Sequence, residues 1–319
     1  MKVGICYTKP KADAQAFFRL FKEGVEIRGD EAIDITSVRD LMNLNNCDVS
    51  FQVCDQHFSE RGTGKLQKFI GLKKKSGEMR GKIQNFRAGV RLFKRPRIIL
   101  DAGFISHSKK VPSHKSYYSL NINAIKRPGL SYTKNSPSDR WEKLGMEMPE
   151  WRKDGNHILV IGQNEEGLGT SNIRMGGLSF LDWSNLMLKK IRKYTDRKII
   201  YKPHPHQKYL PKMVDRCVIL PIDKTDRIDN YFSNCWCAVA AASNGAIDCV
   251  MNGIPVITKD PMSVTYDVSG HKIEQIENPV MPDITQWLYD ISYAQWNMTE
   301  FASGEAWSCI KNYLIHQQS

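Results

Sequence analysis

The sequence predicts an α/β fold with two Rossmann-like domains that face a common cleft. First, its 319 residues exceed the usual size of one core and suffice for two domains of about 150 residues each. Second, short apolar runs alternate with amphipathic helical stretches, which is typical of parallel sheets. Third, polar turns follow apolar runs in the second half, at the strand ends where open α/β sheets bind ligands.

The N-terminal half begins with a β-α-β pattern. The segments predicted as strand, helix, strand and strand are residues 2–7, 12–28, 32–35 and 48–54. Gly29 ends the predicted helix. Thr8-Lys9-Pro10-Lys11 stands where a dinucleotide-binding protein would carry G-x-G-x-x-G, which argues against a dehydrogenase.

The second half begins after a polar stretch. Residues 136–156 hold a short capped helix and two prolines, and are predicted as a linker. Ile158-Leu159-Val160-Ile161-Gly162 opens the second domain, which we expect to include an amphipathic helix over 183–194 and to extend to residue 285. Residues 286–319 are predicted as helices that pack back on the first domain.

Composition favours a globular cytoplasmic protein. The apolar fraction of 41% is ordinary for soluble proteins, and no apolar run approaches the roughly 20 residues of a membrane helix. The N-terminus predicts a strand rather than a signal peptide. The eight cysteines lack the C-x-x-C pairs and histidine spacing of zinc sites, so we expect reduced core thiols and no metal.

Two motifs in the second half predict a phosphate site. Tyr201-Lys202-Pro203-His204-Pro205 ends a buried strand, so Lys202 and His204 should face a ligand cleft. Ala242-Ser243-Asn244-Gly245 lies between an apolar run and a helix start, where Ser243 or Asn244 can cap the helix. Gly245 would let an anion approach the helix N-terminus, and Asp248 would point from the first turn toward a ribose hydroxyl.

Both motifs, with the following Gly253-Ile254-Pro255-Val256-Ile257, resemble the nucleotide-sugar half of GT-B glycosyltransferases. In that family an S-x-G-x-x-[ED] turn carries the donor diphosphate and ribose. The K-P-H-P element resembles that of the capsule-synthesis and sialyltransferase-like branches, where the histidine contacts the donor phosphate. The resemblance covers residues 155–260 by motif, and most members carry Glu where this chain has Asp248.

The resemblance implies a GT-B architecture with an acceptor-side domain over 1–135 and a nucleotide-sugar-binding domain over 157–285. It implies a nucleotide-sugar co-substrate, which we expect to be a UDP-sugar, and no metal or other cofactor. The linker and the strand after it are also similar to phage-type glycosyltransferases. The expected donor-binding residues are Lys202, His204, Ser243, Asn244, Gly245 and Asp248, together with Gly167 in the glycine-containing loop that follows Gly162.

Residues 61–135 are strongly basic, with nineteen Lys and Arg against Glu78 and Asp101, whereas the whole chain carries a net charge of +12. Such local charge predicts a polyanionic partner, either nucleic acid, an anionic polysaccharide or an anionic membrane surface. The alternative for the basic residues is a solvated helical face, and the alternative for Tyr117 is packing in the core. The expected polyanion or acceptor contacts are Lys73, Lys74, Lys75, Arg87, Arg91, Lys94, Arg95, Lys109, Lys110 and Tyr117.

Asp101 is the first candidate for the catalytic base. It ends the apolar run Ile98-Ile99-Leu100 in the acceptor-side half, where a carboxylate can remove the acceptor hydroxyl's proton. His107 follows on the same loop as a second candidate. A carboxylate at a strand end can equally serve only to cap the loop.

These observations predict a glycosyltransferase that acts on a hydroxyl acceptor. The basic segment favours a hydroxymethylated pyrimidine in phage DNA, with the base rotated out of the duplex, in the host cytoplasm. One alternative is a glycosyltransferase of capsule or lipid-linked polysaccharide synthesis. Another is a non-catalytic nucleic-acid-binding protein on a GT-B scaffold. A sugar-phosphate epimerase of the same fold would leave the basic segment unexplained.

Overall fold

A computed structural model describes residues 1–7, 16–53, 90, 93–105, 117–163 and 177–317. The chain divides into two compact units. We name them the N-terminal unit, which comprises Met1–Lys134 and Tyr293–Ser319, and the C-terminal unit, which comprises Asn135–Ser292.

The described residues form eleven strands and seven α-helices. The strands are β1 Lys2–Cys6, β2 Glu31–Ile35, β3 Val49–Val53, β4 Arg97–Ala102, β5 Tyr117–Ile122, β6 His157–Ile161, β7 Lys198–Lys202, β8 Cys217–Ile219, β9 Cys235–Ala240, β10 Val256–Thr258 and β11 Gln295–Asn297. The helices are α1 Ala16–Ile27, α2 Asp139–Leu144, α3 Phe180–Arg192, α4 Gly245–Val250, α5 Thr285–Tyr293, α6 Met298–Ala302 and α7 Glu305–His316. Short 3-10 helices also occur, among them Arg39–Asn46, Arg127–Thr133 and Ile228–Tyr231.

The N-terminal unit contains a six-stranded sheet with the order β11-β5-β4-β3-β1-β2. Strands β1 to β4 pair in parallel, and β5 and β11 add antiparallel pairs at one side. Helix α1 covers the sheet with its apolar face, where the Phe21 ring stacks on Phe51 of β3 at a centroid distance of 3.9 Å. Gly29, at φ 76°, ends the helix in the left-handed conformation that favours glycine.

The C-terminal end of the chain completes the N-terminal unit. Strand β11 pairs with β5, with Trp296 opposite Tyr118. The Trp307 side chain on α7 is fully buried in the same core, and its indole N–H donates to Asp30 at 2.7 Å. Of the residues 286–319 predicted to pack back on the first domain, Tyr293–Ser319 belong to the N-terminal unit and residues 286–292 to the C-terminal unit.

The C-terminal unit contains a fully parallel sheet with the order β10-β9-β6-β7-β8. Its strands are continuous apolar runs, as expected when helices cover both faces of a parallel sheet. Helix α3 packs Trp183, Leu188 and Ile191 into the core around β6 and β7. The strand order reverses between β6 and β9, the position at which open α/β sheets bind ligands.

The segment predicted as a linker is part of the C-terminal unit. The Arg152 N–H donates to Gly253 O at 2.8 Å, and the Trp151 indole N–H donates to Pro282 O at 2.8 Å. These partners lie about a hundred residues away in sequence, so local composition could not reveal them. Gly253 has φ 69°, and a Cβ there would stand 1.9 Å from Glu150 O, which explains the glycine at this crossing.

The predicted fold class is confirmed, since both units are α/β and built on parallel strands in a Rossmann-like arrangement. The predicted strand ends agree with the observed ones to within a few residues, and α3 begins at Phe180, earlier than expected, because Ser179 Oγ accepts the Asp182 N–H at 3.0 Å. Six of the seven described cysteines are buried, and all seven are free thiols. Among the described residues, no helix is both long enough and apolar enough to span a bilayer.

Candidate functional site

The two predicted motifs lie at the ends of β7 and β9 in the C-terminal unit, on either side of β6. Strand β6 lies between β7, which carries the K-P-H-P turn, and β9, which leads into the S-N-G turn. The Gly162 N–H donates to Lys202 O at 2.8 Å, which ties the end of β6 to the end of β7. On the other side, Gln163 Oε1 accepts the Ala242 N–H at 3.2 Å. The S-N-G turn therefore borders the point where the strand order reverses, and the K-P-H-P turn lies one strand away, beyond β6.

Lys202 is the last residue of β7 rather than the first residue beyond it. The residue is only 5% exposed, and its Nζ lies 3.0 Å from Asp226 Oδ2. At this distance one N–H of the ammonium can point at Asp226, and the other N–H groups have no acceptor among the described residues. The site thus contains a buried ammonium with hydrogen-bonding capacity left over.

His204 is a neutral hydrogen-bond donor at neutral pH. Its Nδ1 accepts the His206 N–H at 3.1 Å, so the neutral ring carries its proton on Nε2. Burial, together with the nearby His206 and Lys202, lowers the pKa of His204 to about 4. A phosphate oxygen near Nε2 would receive a hydrogen bond without any change of protonation.

Gln207, which the sequence analysis did not single out, holds the K-P-H-P turn. Its side chain is buried, and its Nε2 donates to Tyr201 Oη at 2.9 Å and to Tyr209 O at 2.7 Å. Its Oε1 accepts the His204 N–H at 3.3 Å. A buried glutamine three residues after the histidine has no sequence signature that separates it from an exposed one.

The S-N-G turn differs in detail from the prediction. Asn244 is the N-cap residue of α4, but it makes no side-chain cap hydrogen bond. Ser243 Oγ instead accepts the Gly245 N–H at 3.3 Å. A Cβ on Gly245 would stand 2.7 Å from Ile228 Cδ1, so the space beside this glycine is taken by a side chain rather than left to a ligand.

Asp248 lies in the first turn of α4, as predicted, and is half-buried. Burial raises the pKa of this carboxyl to about 7, and Asp229 adds to the shift while Arg227 opposes it. Among the described residues its carboxylate accepts no hydrogen bond. A carboxyl so placed can bind the two hydroxyls of a ribose.

A segment that the sequence analysis missed, residues 223–231, reaches both motifs. Asp226 contacts Lys202, Ile228 contacts the S-N-G turn at Gly245, and Arg227 and Asp229 act electrostatically on Asp248. Arg227 Nε lies 3.1 Å from Asp229 Oδ1, so these two charges largely satisfy each other. Nothing in the local sequence marks this segment, because its role depends on contacts with two separate strand ends.

The described candidate residues of the N-terminal unit are Asp101, Lys94, Arg95 and Tyr117. Asp101 lies near the end of β4, half-buried, and its Oδ1 accepts the Ala102 N–H at 2.8 Å. Lys94 and Arg95 are exposed, and Arg95 Nη1 lies 3.6 Å from Asp48 Oδ1. Tyr117 is only 7% exposed at the start of β5, which favours the packing alternative over stacking on an acceptor.

Several predicted residues lie outside the described ones. They are Lys73, Lys74, Lys75, Arg87, Arg91, His107, Lys109, Lys110 and Gly167. Their assigned roles stay predictions. Within the described part of the chain, no group of three or more His, Cys, Asp or Glu residues is arranged to hold a metal ion.

Comparison with known proteins finds similarity among solved structures alone. No protein-family model matches the chain, and no curated protein matches it. The beta Kdo 2,7 transferase of Thermosulfurimonas dismutans KpsC is similar over 100% of both chains, with 13% identity and a TM-score of 0.49. The beta Kdo 2,4 transferase of the same protein is similar over 98% of both chains, with 11% identity and a TM-score of 0.49. The Methanocaldococcus jannaschii UDP-GlcNAc 2-epimerase, in complex with UDP-GlcNAc and UDP, is similar over 98% of this chain and 100% of the epimerase, with 9% identity and a TM-score of 0.31. Similarity at these identities assigns no activity to the chain.

Proposed function

We propose that the chain is a nucleotide-sugar-dependent glycosyltransferase whose C-terminal unit binds the donor. The observation that carries this proposal is the meeting of the K-P-H-P and S-N-G turns at the ends of β7 and β9, on either side of β6. These turns combine a buried cation, a neutral imidazole N–H and a half-buried carboxyl. That set suits a nucleoside diphosphate, which presents phosphate oxygens and a ribose diol.

The same groups suit the chemistry of sugar transfer. When the glycosidic bond to the donor breaks, negative charge develops on the departing diphosphate, and preorganised cations and hydrogen-bond donors stabilise it. Lys202 supplies the positive charge and His204 Nε2 supplies a hydrogen bond. Asp248 binds the ribose and so fixes the position of the donor in the site. UDP is the nucleotide that we expect, and Lys202 takes the role for which other enzymes use a metal ion.

We propose a saccharide rather than DNA as the acceptor, as in capsule or lipid-linked polysaccharide synthesis. The DNA hypothesis rested on the charge of residues 61–135, and an anionic polysaccharide is as suitable a partner for that charge. Tyr117, which was expected to stack on an acceptor, is buried. Asp101, at the end of β4, keeps the proposed role of base that removes the acceptor hydroxyl's proton.

Donor binding and transfer test the proposal. UDP-, GDP- and CMP-sugars are titrated into the protein by calorimetry, and labelled donors are then incubated with oligosaccharide acceptors and with duplex DNA that contains hydroxymethylpyrimidines. We expect a UDP-sugar to bind and its label to enter a saccharide. His204→Ala should weaken donor binding about tenfold, since a hydrogen bond to a charged group contributes about 1.5–3 kcal/mol.

His206→Ala is the matched control, because it removes an exposed imidazole from the same turn without changing the backbone N–H that His204 accepts. It should bind the donor like the wild-type protein. Label in DNA alone would restore the DNA acceptor. Conversion of the UDP-sugar to an epimer without transfer would identify an epimerase, and no binding of any sugar nucleotide would end the proposal.

A further inference from the structure

The buried Lys202 ammonium requires a counter-charge within the protein. A buried ammonium without a partner is strongly unfavourable, and its compensation decides whether the charge persists. Asp226 Oδ2, at 3.0 Å, is the carboxylate oxygen paired with Lys202 Nζ in the described part of the chain. The two residues come from different parts of the unit, β7 and the 223–231 segment.

The Asp226 carboxylate is itself held in place. Its Oδ1 accepts from Asn230 Nδ2 at 3.1 Å, and its Oδ2 accepts from Tyr231 Oη at 2.8 Å. Burial opposes the charge of Asp226, but contacts with Lys202, Tyr231 and Asn230 outweigh it and hold the pKa of that carboxyl below its usual range. Burial and the neighbouring Asp226 raise the pKa of Tyr231 to about 12, so the phenol stays a donor. The carboxylate is thus charged and fixed from two sides.

The ammonium, by contrast, retains hydrogen-bonding capacity. Asp226 compensates the charge of Lys202 Nζ and occupies one of its N–H groups, whereas the others have no acceptor among the described residues. An ammonium has three donors, and a phosphate oxygen is a strong acceptor for them. Lys202 can therefore bind a further anion at the end of β7.

We propose that Asp226 is a positioning residue of the donor site, which holds the Lys202 ammonium at the end of β7 so that its free N–H groups meet a phosphate oxygen of a nucleoside diphosphate. This inference rests on the proposed function. It assigns to the 223–231 segment a role beyond packing. The same segment reaches the S-N-G turn through Ile228, so it fixes Lys202 in relation to the second motif as well.

A double-mutant cycle tests the inference. UDP and GDP are titrated by calorimetry into the wild-type protein, Asp226→Asn, Lys202→Ala and the double variant. We expect Asp226→Asn to weaken UDP binding about tenfold, and the double variant to bind no more weakly than Lys202→Ala, because the two residues act as one unit. Asp226→Glu, which restores the carboxylate, should recover part of the affinity, as a merely structural role would not require.

Two further variants keep the test decisive. Asp196→Asn removes an exposed carboxylate of the same unit, 3.4 Å from Arg216, and should bind UDP like the wild-type protein. Tyr231→Phe deletes one hydrogen bond to Asp226 without changing charge, so it serves if Asp226→Asn fails to fold. We expect it to weaken UDP binding about threefold.

The possible failures differ from one another. If the wild-type protein binds UDP and both Asp226→Asn and Tyr231→Phe bind it equally well, the inference is overturned and the proposed function stands. Additive losses in the double variant would also overturn it, because independent effects exclude positioning of one residue by the other. If the wild-type protein binds neither UDP nor GDP, the inference is overturned, and the proposed function fails with it if CMP-sugars do not bind either.

Discussion

At the scale of single residues, burial shifts the pKa values of two groups of the candidate site in opposite directions. It lowers the pKa of His204 to about 4 and raises the pKa of Asp248 to about 7, since burial disfavours the charged form of each. Both groups are therefore less charged at neutral pH than free side chains would be. A neutral donor and a half-ionised carboxyl fit a site for a polar ligand better than they fit a structural core.

The buried Asp248 carboxyl should destabilise the folded protein. Its folded pKa exceeds the unfolded value, so the folded state binds more protons between about pH 4 and pH 7, and stability falls as pH rises through that window. Asp248→Asn should therefore raise the free energy of unfolding by about 2 kcal/mol at pH 8, after allowance for partial exposure, and by less at pH 5. Chemical denaturation at the two pH values measures this.

The same variant should lose donor affinity about tenfold, because the ribose loses its carboxylate acceptor. Asp196→Asn, at an exposed position, should change stability by no more than about 0.5 kcal/mol at either pH. A decrease in the free energy of unfolding of Asp248→Asn at pH 8 would contradict the argument that the buried charge of Asp248 destabilises the fold.

At the scale of elements, the site depends on how closely β6 and β7 approach each other at their ends. Gly162 follows β6 directly, and a Cβ there would stand 2.8 Å from His204 N and 2.9 Å from Lys202 O. Because these are backbone atoms, they cannot turn aside as a flexible side chain would. The glycine therefore lets the K-P-H-P turn lie against the end of β6.

Gly162→Ala should displace the K-P-H-P turn. We expect a loss of about 1–3 kcal/mol in the free energy of unfolding, typical of overpacking, and weaker UDP binding by calorimetry. Gly270→Ala is the matched control, since its Cβ would meet nothing closer than 3.3 Å and its backbone is not left-handed. If Gly162→Ala binds UDP as well as Gly270→Ala does, the approach of β6 to β7 is not needed for the site.

At the scale of the whole molecule, each unit is completed by residues distant in sequence. Asp30 in the N-terminal unit accepts the Trp307 indole N–H and lies 2.8 Å from Lys311 Nζ, so the turn before β2 is bonded to α7. In the C-terminal unit, the 223–231 segment and the strand ends of β7 and β9 come together in the same way.

Trp307→Ala should destabilise the N-terminal unit strongly. It removes a fully buried ring and leaves Asp30 without one of its donors, which together cost about 3–5 kcal/mol. Ile315→Ala, at an exposed position on the same helix, should cost less than about 1 kcal/mol. Denaturant titration followed by circular dichroism measures both, and equal effects would show that α7 packs differently from the arrangement described here.

Much of the fold could be predicted from local patterns. Strands β1 to β4, β6, β7, β9 and β10 and helix α1 were expected close to their observed positions, because apolar runs and period-3.6 stripes depend on neighbouring residues alone. Lys202 and His204 were expected at a strand end for the same reason. Strands β5, β8 and β11 were not expected, and β11 lies in the segment 286–319 that was predicted as helices. Of the two predicted capping groups, Ser243 Oγ accepts the Gly245 N–H and Asn244 makes no side-chain cap bond, since each depends on which partner a group finds in the folded chain. Residues 136–156, predicted as a linker, belong to the C-terminal unit.

The sequence by itself determined the α/β class, the two parallel-sheet units and the placement of both motifs at strand ends, because periodicity and turn chemistry act over a few residues. Only the tertiary structure decided that Asp226 compensates Lys202, that Gln207 holds the turn and that Gln295–Asn297 adds strand β11 to the N-terminal sheet. The first and third join residues far apart in the chain, and the Gln207 contacts depend on the burial of its side chain. They form when the sheets bring strand ends together, and burial then sets the cost of each unpaired charge.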